Sequence, residues 1–306
     1  MKRKLVTILG PTATGKTKVA VALAQRLDGE IVSADSRQLY RRMDIGTGKD
    51  LDDYTVEGGQ QIKYHLLDCV EPGIEYNVFR YQQAAKKALA DIEARNRQPI
   101  LCGGSGMYIE ALLSGYKLFP VPENPDLRTQ WETQSDEALI AQLEKMRVLH
   151  NHTDSCERTR LLRALEIEHY YQQHPELEAA AKPVPSIVFG LHGDRNIIRS
   201  RITQRLHARL AQGMIEEVQQ LMNNSVNPNQ LIRYGLEYKF ITLYLQGQIS
   251  YELMVQRLNV AIHQFSKRQM TWFRKMERAG CQIHWLDIAL STEEILQKIL
   301  SRIDKQ

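Results

Sequence analysis

A chain of 306 residues can bury one large core or two lobes, and its 43% apolar and 25% charged residues are those of an ordinary globular protein. A formal net charge of +4 permits an acidic partner without demanding one, so the placement of the charges matters more than their sum. No window approaches the ~18 apolar residues of a membrane span. The basic start Lys2-Arg3-Lys4 runs through a short apolar stretch into Gly10-Pro11, too short for a secretory leader, so a cytoplasmic protein that avoids membranes is expected.

Residues 5–9 have the continuous apolar character of a buried strand, and the pattern predicts a helix over 16–27 after it. A second strand is predicted over 30–34 and a third over 65–70. A long helix rich in Ala, Gln and Lys follows over 78–96, then a fourth strand over 99–102 ending at Gly103-Gly104. Strand and helix in alternation predict a parallel sheet covered by helices. The proline-rich run 119–125 marks a boundary, the patterns from 126 to 173 are helical, and Lys182-Pro183-Val184-Pro185 marks a second boundary. A strand returns at 186–191, helical patterns cover 196–222 and 251–278, a short strand is predicted over 282–286, and a helix closes the chain. The expected organisation is an α/β core, 1–118 and 186–306, interrupted by a helical insertion, 119–185.

Of the four cysteines, Cys69, Cys102, Cys156 and Cys281, none forms a C-x-x-C pair, and Cys69 and Cys102 fall in predicted buried strands. Reduced core thiols are expected, and no zinc-ligand spacing is present.

Gly10-Pro11-Thr12-Ala13-Thr14-Gly15-Lys16-Thr17 fits G-x-x-x-x-G-K-[ST] in full, between a strand and a helix as the motif requires. The glycines let several backbone N–H groups converge on one anion, and the helix N-terminus adds its positive end. Lys16 supplies a charge and the Thr17 hydroxyl a ligand for Mg2+. The core is therefore expected to be a P-loop NTPase-like parallel sheet flanked by helices. The motif specifies a diphosphate or triphosphate without specifying phosphoryl transfer. The next strand ends in Asp35-Ser36-Arg37-Gln38, which puts a carboxylate in the ligand crevice, and no arginine-rich kinase lid is found. Asp35 could instead cap a following helix.

These residues carry a resemblance. Gly10 to Thr17, then 33–49, then His65-Leu66-Leu67-Asp68, Gly103 to Tyr108, 160–166 and 267–274 resemble, in order and over nearly the whole chain, the bacterial tRNA dimethylallyltransferases, also called tRNA isopentenyltransferases. The resemblance implies transfer of a dimethylallyl group from dimethylallyl diphosphate to the N6 amine of the adenosine 3′-adjacent to the anticodon, in tRNAs reading codons that begin with U. It implies that residues 10–17 bind the donor diphosphate with Mg2+ on Thr17, that Asp35 is the general base, and that Lys16 and Thr17 assist catalysis. It implies that Ser36, Arg37 and Gln38 line the base pocket. Ser105 stands where the family more often has threonine and meets the RNA. Arg128, then Thr159, Arg160, Leu161, Leu162 and Arg163, then Lys267, Arg268, Gln269 and Arg274 match further tRNA-contacting positions, which makes the insertion a tRNA-binding domain. Arg205, on a face shared with Arg201 and Arg209, is the best match for an arginine that reaches the diphosphate. One block departs: 233–239 reads Arg-Tyr-Gly-Leu-Glu-Tyr-Lys, with a displaced glycine.

The chemistry is consistent with these roles. Diphosphate leaves only when its charge is met, and the delocalised N6 lone pair needs a base to take its proton. The anticodon-loop adenine must be extruded to reach a buried carboxylate. A helical turn of ~100° per residue aligns Lys267, Arg274 and Arg278 as a basic stripe with Arg268 and Lys275 beside it, and sets Phe265, Trp272 and Met276 on the core side. The expected partners are dimethylallyl diphosphate and the tRNA anticodon stem-loop, bound by a monomer. The rival acceptor is a free adenine nucleotide, as in adenylate isopentenyltransferases, and the rival chemistry is that of a P-loop kinase.

Overall fold

The computed structural model describes residues 3–56, 58–147, 157–180 and 182–305, so Cys156 lies outside the described residues. The chain forms two compact units, Met1–Ser114 with Pro183–Gln306, and Gly115–Lys182. The boundaries thus fall a few residues before those expected at 119 and 185.

In the first unit, β1 (Leu5–Leu9), α1 (Lys16–Leu27), β2 (Gly29–Ser33), β3 (Tyr64–His65), α2 (Val78–Ala94), β4 (Gln98–Gly103) and α3 (Gly106–Leu113) come first. The second unit holds α4 (Pro125–Glu132), α5 (Asp136–Met146) and α6 (Arg158–Gln173). The chain then returns through β5 (Ser186–His192), α7 (Arg195–Ala211), α8 (Met214–Asn223), α9 (Pro228–Tyr234), α10 (Leu236–Leu245), α11 (Tyr251–Arg278), β6 (Ile283–Asp287) and α12 (Thr292–Ile303). The strands form one parallel sheet in the order β3-β2-β4-β1-β5-β6.

Every position of β1 is buried, because helices cover both faces of the sheet. Val6 and Ile8 pack with Val19, Leu23, Ile295 and Ile299 of α1 and α12. Leu5 and Leu9, on the opposite face by the period of two, join the larger core with Tyr81, Leu112, Leu258 and Phe273.

Several boundaries differ from expectation. The strand predicted over 65–70 stops at His65, because Leu66 and Asp68 take positive φ (61° and 48°), and only a bridge from Tyr40 to Val70 continues the pairing. Cys69 is consequently exposed, whereas Cys102 is buried. The pattern over 196–222 breaks at Gly213, whose left-handed φ of 98° ends α7 and opens α8. Helices α9 and α10 occupy a stretch left unassigned by periodicity.

The second unit is helical, with no strand among its described residues. Trp131, Leu139, Leu143, Leu161, Ala164 and Leu165 form its core. Asn124 and Ser135 cap α4 and α5, with Pro125 opening α4.

Candidate active site

The loops at the carboxyl ends of β1, β2 and β4 meet around one cavity of about 1470 Å³ within the first unit. After β1 the backbone curls through left-handed conformations at Ala13 (φ 65°) and Gly15 (φ 78°). No side chain caps the start of α1. The loop is pre-shaped by its own contacts: Thr14 Oγ1 and Lys16 Nζ both donate to the Pro11 carbonyl, at 2.8 and 2.7 Å. Burial pushes Lys16 down to about 8, the Arg205 charge adds to this, and Asp35 and Cys102 oppose it. Arg205, from α7, donates to Thr12 Oγ1 at 3.1 Å. Burial and the neighbouring Arg209 lower it to about 10. Thr17 lies on the cavity wall beside Lys16.

The β2 and β4 loops are stitched together. Ala34 N–H donates to the Cys102 carbonyl at 2.7 Å, Ser105 N–H to the Ala34 carbonyl at 3.1 Å, and Ser36 N–H to Ser105 Oγ at 2.9 Å. A Cβ on Gly103 would stand 2.2 Å from the Ala34 oxygen, so only glycine permits this approach. Asp35 therefore hangs at the junction facing the cavity. It does not cap a helix, since the segment after it is turns; its Oδ1 accepts from Arg37 N–H at 2.9 Å, an Asx turn. Gln38 Nε2 donates to the Gly48 carbonyl at 2.8 Å.

Helix α11 closes the opposite wall, and two of its residues differ from expectation. Gln269, read as an RNA contact, is 7% exposed. Its Oε1 accepts from Thr12 N–H at 2.8 Å and its Nε2 donates to the Gly104 carbonyl at 2.9 Å, so it bolts the phosphate loop to the β4 loop. Phe265, read as core, is 39% exposed and lines the cavity; Phe273 and Met276 fill the core in its place. Trp272 packs on Gly106, where a Cβ would meet its ring at 2.4 Å, and Lys275 lies 4.8 Å above that ring. Lys267, Arg268 and Arg274 are exposed, and Arg268 reaches the cavity wall.

Three contributors take roles that the sequence reading did not assign: Arg209 was placed only on the face of Arg205, and Tyr234 and Glu237 only in the atypical 233–239 block. Arg209 is buried and pairs with Asp50 at 3.2 Å. Glu237 lines the cavity, and burial raises its carboxyl against the pull of Arg209 and Arg205. Tyr234, its ring centroid 4.5 Å from that of Tyr40 and tilted by 53°, lines it too. The last two lie in the atypical 233–239 block, whose displaced glycine was the only signal that its backbone differs.

Among the described residues no cluster of three or more His, Cys, Asp or Glu could hold a metal by itself. Thr17, Asp35, Asp50 and Asp53 line the same cavity, and such oxygen donors are the kind a magnesium ion takes singly beside waters and phosphate oxygens.

The IPP transferase family model matches residues 38–276. The chain belongs to this family. It is 53% identical over 304 residues to tRNA dimethylallyltransferase 1 of Parabacteroides distasonis, covering 99% of this chain and 98% of that one. It is 53% identical over 296 residues to tRNA dimethylallyltransferase 2 of Porphyromonas gingivalis, covering 97% and 98%. In structure it is similar to the full-length tRNA isopentenylpyrophosphate transferase from Bacillus halodurans, with TM-score 0.71, 30% identity, and coverage of 99% and 98%. A eukaryotic dimethylallyltransferase acting on tRNA shares the fold, with TM-score 0.74 at 21% identity over 94% of this chain and 74% of that one.

The family residues expected in the insertion take varied positions within the second unit. Leu161 is 0% exposed and belongs to the core, so its side chain cannot touch RNA, and Leu162 packs against that core. Thr159 and Arg160 are exposed, Arg160 beside Glu157 at 3.2 Å. Arg128 and Arg163 both bind the buried Glu166, Arg128 through Nε at 2.6 Å and Nη2 at 2.9 Å, Arg163 through Nη1 at 2.9 Å. Burial would raise Glu166, but these hydrogen bonds hold it below the usual carboxylate range.

Proposed function

We propose that this IPP transferase moves the dimethylallyl group of dimethylallyl diphosphate to the N6 amine of the adenosine 3′-adjacent to the anticodon, in tRNAs reading codons that begin with U. The products are N6-(dimethylallyl)adenosine and diphosphate. The observation that carries the reading is the meeting of a complete phosphate loop and the Asp35 carboxylate in one cavity. The names of the relatives support it as well.

In this reading the N–H groups of the loop, Lys16 and Arg205 receive the diphosphate. Burial makes Lys16 and Arg205 costly as isolated charges, so an anion between them is strongly favoured. The N6 lone pair forms the bond to C1 of the dimethylallyl group. The C1–O bond breaks with its electron pair going to diphosphate, and the N6 proton passes to Asp35. Magnesium held by Thr17 would neutralise diphosphate charge when bound. Ser36, Arg37, Gln38 and Ser105 bound the space for the extruded base, and the exposed Lys267, Arg268 and Arg274 meet the RNA backbone. A free adenine nucleotide would need no such stripe.

Asp35→Asn tests the base assignment. Asparagine keeps the Asx turn, because its amide oxygen still accepts from Arg37 N–H, yet it cannot take a proton. Single-turnover transfer should fall roughly 10²–10⁴-fold with tRNA and donor affinity little changed. A near-normal rate would end the assignment. Labelled dimethylallyl diphosphate offered with unmodified tRNA or AMP separates the tRNA acceptor from the nucleotide acceptor, and turnover of ATP without prenyl transfer would restore the kinase reading.

A further inference from the structure

Residues 36–50 line much of the acceptor side of the cavity yet contain no helix and only one isolated bridge, at Tyr40. A segment of this length keeps its shape through contacts from outside. Its most concentrated anchor comes from α8. Glu217 Oε2 accepts from the N–H groups of Asp44 at 2.8 Å and Ile45 at 2.7 Å, and its Oε1 accepts from Gly46 N–H at 3.0 Å. Tyr238 of α10 donates its hydroxyl to the same Oε1 at 2.7 Å. Three successive amides converging on an anion form the kind of nest that usually receives a bound phosphate. Here the anion is the protein's own. Tyr238 fits so closely that a Cβ on Gly46 would stand 2.7 Å from its ring. Directly after the nest, the Thr47 and Gly48 carbonyls accept from Gln38 Nε2, at 3.4 and 2.8 Å. The contacts therefore run from Glu217 through residues 44–48 to Gln38.

We propose that Glu217 is a positioning residue for the acceptor base: its carboxylate, oriented by Tyr238, sets the 44–48 turn that aims the Gln38 amide into the cavity. The inference rests on the acceptor reading given above, in which Gln38 bounds the adenine. Glu217 is not on the cavity wall, so it acts through the loop and not on the substrate. The phosphate loop is held by different bonds, from Gln269 and Arg205, so the donor side should not feel its loss.

The experiment is a double-mutant cycle of Glu217→Gln and Gln38→Ala in the full chain, with kinetics taken separately against tRNA and dimethylallyl diphosphate below the melting temperature of every variant. Glutamine in place of Glu217 turns one acceptor into an N–H2 group that opposes backbone N–H groups. Glu217→Gln should raise the KM for tRNA roughly tenfold while the KM for dimethylallyl diphosphate stays within about twofold. The double variant should be no more than about twofold worse in kcat/KM for tRNA than the worse single variant, because both changes act on one contact path. Effects that multiply, or a parallel rise of both KM values, would overturn the proposal and leave Glu217 a general structural residue. If Gln38→Ala leaves tRNA kinetics untouched, the base-pocket reading itself fails and the inference goes with it. Should Glu217→Gln not fold, Tyr238→Phe keeps the ring and removes one bond to the carboxylate. It should shift the tRNA KM about threefold in the same direction with the donor KM unmoved, and no shift would equally overturn the proposal.

Discussion

Lys16 concentrates the electrostatics of the donor site in one side chain. Its ammonium donates to the Pro11 carbonyl, but it is taken out of water and shares the site with Arg205, and burial first and that charge second hold it near 8. A bound diphosphate reverses that balance, because an anion in low dielectric stabilises the charged form. Above about pH 8 the free enzyme therefore loses a proton that the donor complex must regain. The sign follows from linkage: affinity is flat below that value and weakens above it, by about tenfold per pH unit at the limit. Titration of dimethylallyl diphosphate from pH 6.5 to 9.5 measures it. Lys16→Arg should bind more weakly but flatten the profile, since guanidinium does not titrate there. A wild-type profile flat to pH 9.5 would show that Lys16 stays charged without ligand. The residue's place in the motif is evident from sequence alone; its depressed basicity is not, because the burial and the approach of Arg205 that lower it arise only in the folded chain.

Helix α11 serves two sides at once. Its buried face carries Leu258, Ile262, Phe273 and Met276 into the core, and its outer face leaves Lys267, Arg268 and Arg274 in solvent. The stripe was legible from period alone. So, in principle, was the fate of Gln269: two residues past Lys267 it lies ~200° around the helix and turns inward. What period cannot supply is its partners, Thr12 and Gly104. Replacing Lys267, Arg268 and Arg274 together by Gln should weaken tRNA binding and reduce the slope of log K against log salt by roughly 0.7–0.9 per lost phosphate contact. Donor affinity should barely move, and circular dichroism should show an intact helix. A triple variant that binds and modifies tRNA like the parent across a salt series would reduce the stripe to a solvated face. The 233–239 block illustrates the opposite case. Its sequence departs from the family pattern, and only the fold shows Tyr234 and Glu237 on the cavity wall with Tyr238 turned inward to Glu217.

At the scale of the molecule, the far edge of the sheet is tied by a single buried carboxylate. Glu30 on β2 accepts from Arg95 after α2, at 2.8 and 2.7 Å, and lies 2.7 Å from His65 Nε2 on β3. Burial alone would raise its carboxyl, but the hydrogen bonds from Arg95 and His65 outweigh burial and hold it at about 2, against an ordinary value of 4.5. Because the folded value is the lower one, the stabilisation is full above pH 4.5 and is lost as pH falls towards 2. The group should contribute roughly 3 kcal/mol across that window. Urea unfolding midpoints measured from pH 5 to 2.5 should drop steeply in the parent. Glu30→Gln should be less stable at pH 7 and should show a shallower acid slope. Parallel slopes for the two proteins would mean that other carboxylates govern acid unfolding.

By itself, the sequence determined the phosphate loop, the strand–helix alternation of a parallel sheet and the helical character of the insertion. These depend on local spacing, on runs of apolar residues and on prolines, and each can be read within a dozen neighbours. The tertiary structure decided which groups converge. Thr12 meets Gln269 across 257 positions and Arg205 across 193, and Ile45 meets Glu217 across 172. No local periodicity encodes such pairings, since they follow from strand order and from the packing of α7, α8 and α11 over the carboxyl ends of the sheet. Leu161 and Gln269, expected as RNA contacts, are buried by the helix faces they occupy, and what the fold alone supplied was the partners of Gln269. A side chain's face is set by its helix, but its partner is set by what the whole chain brings to that face.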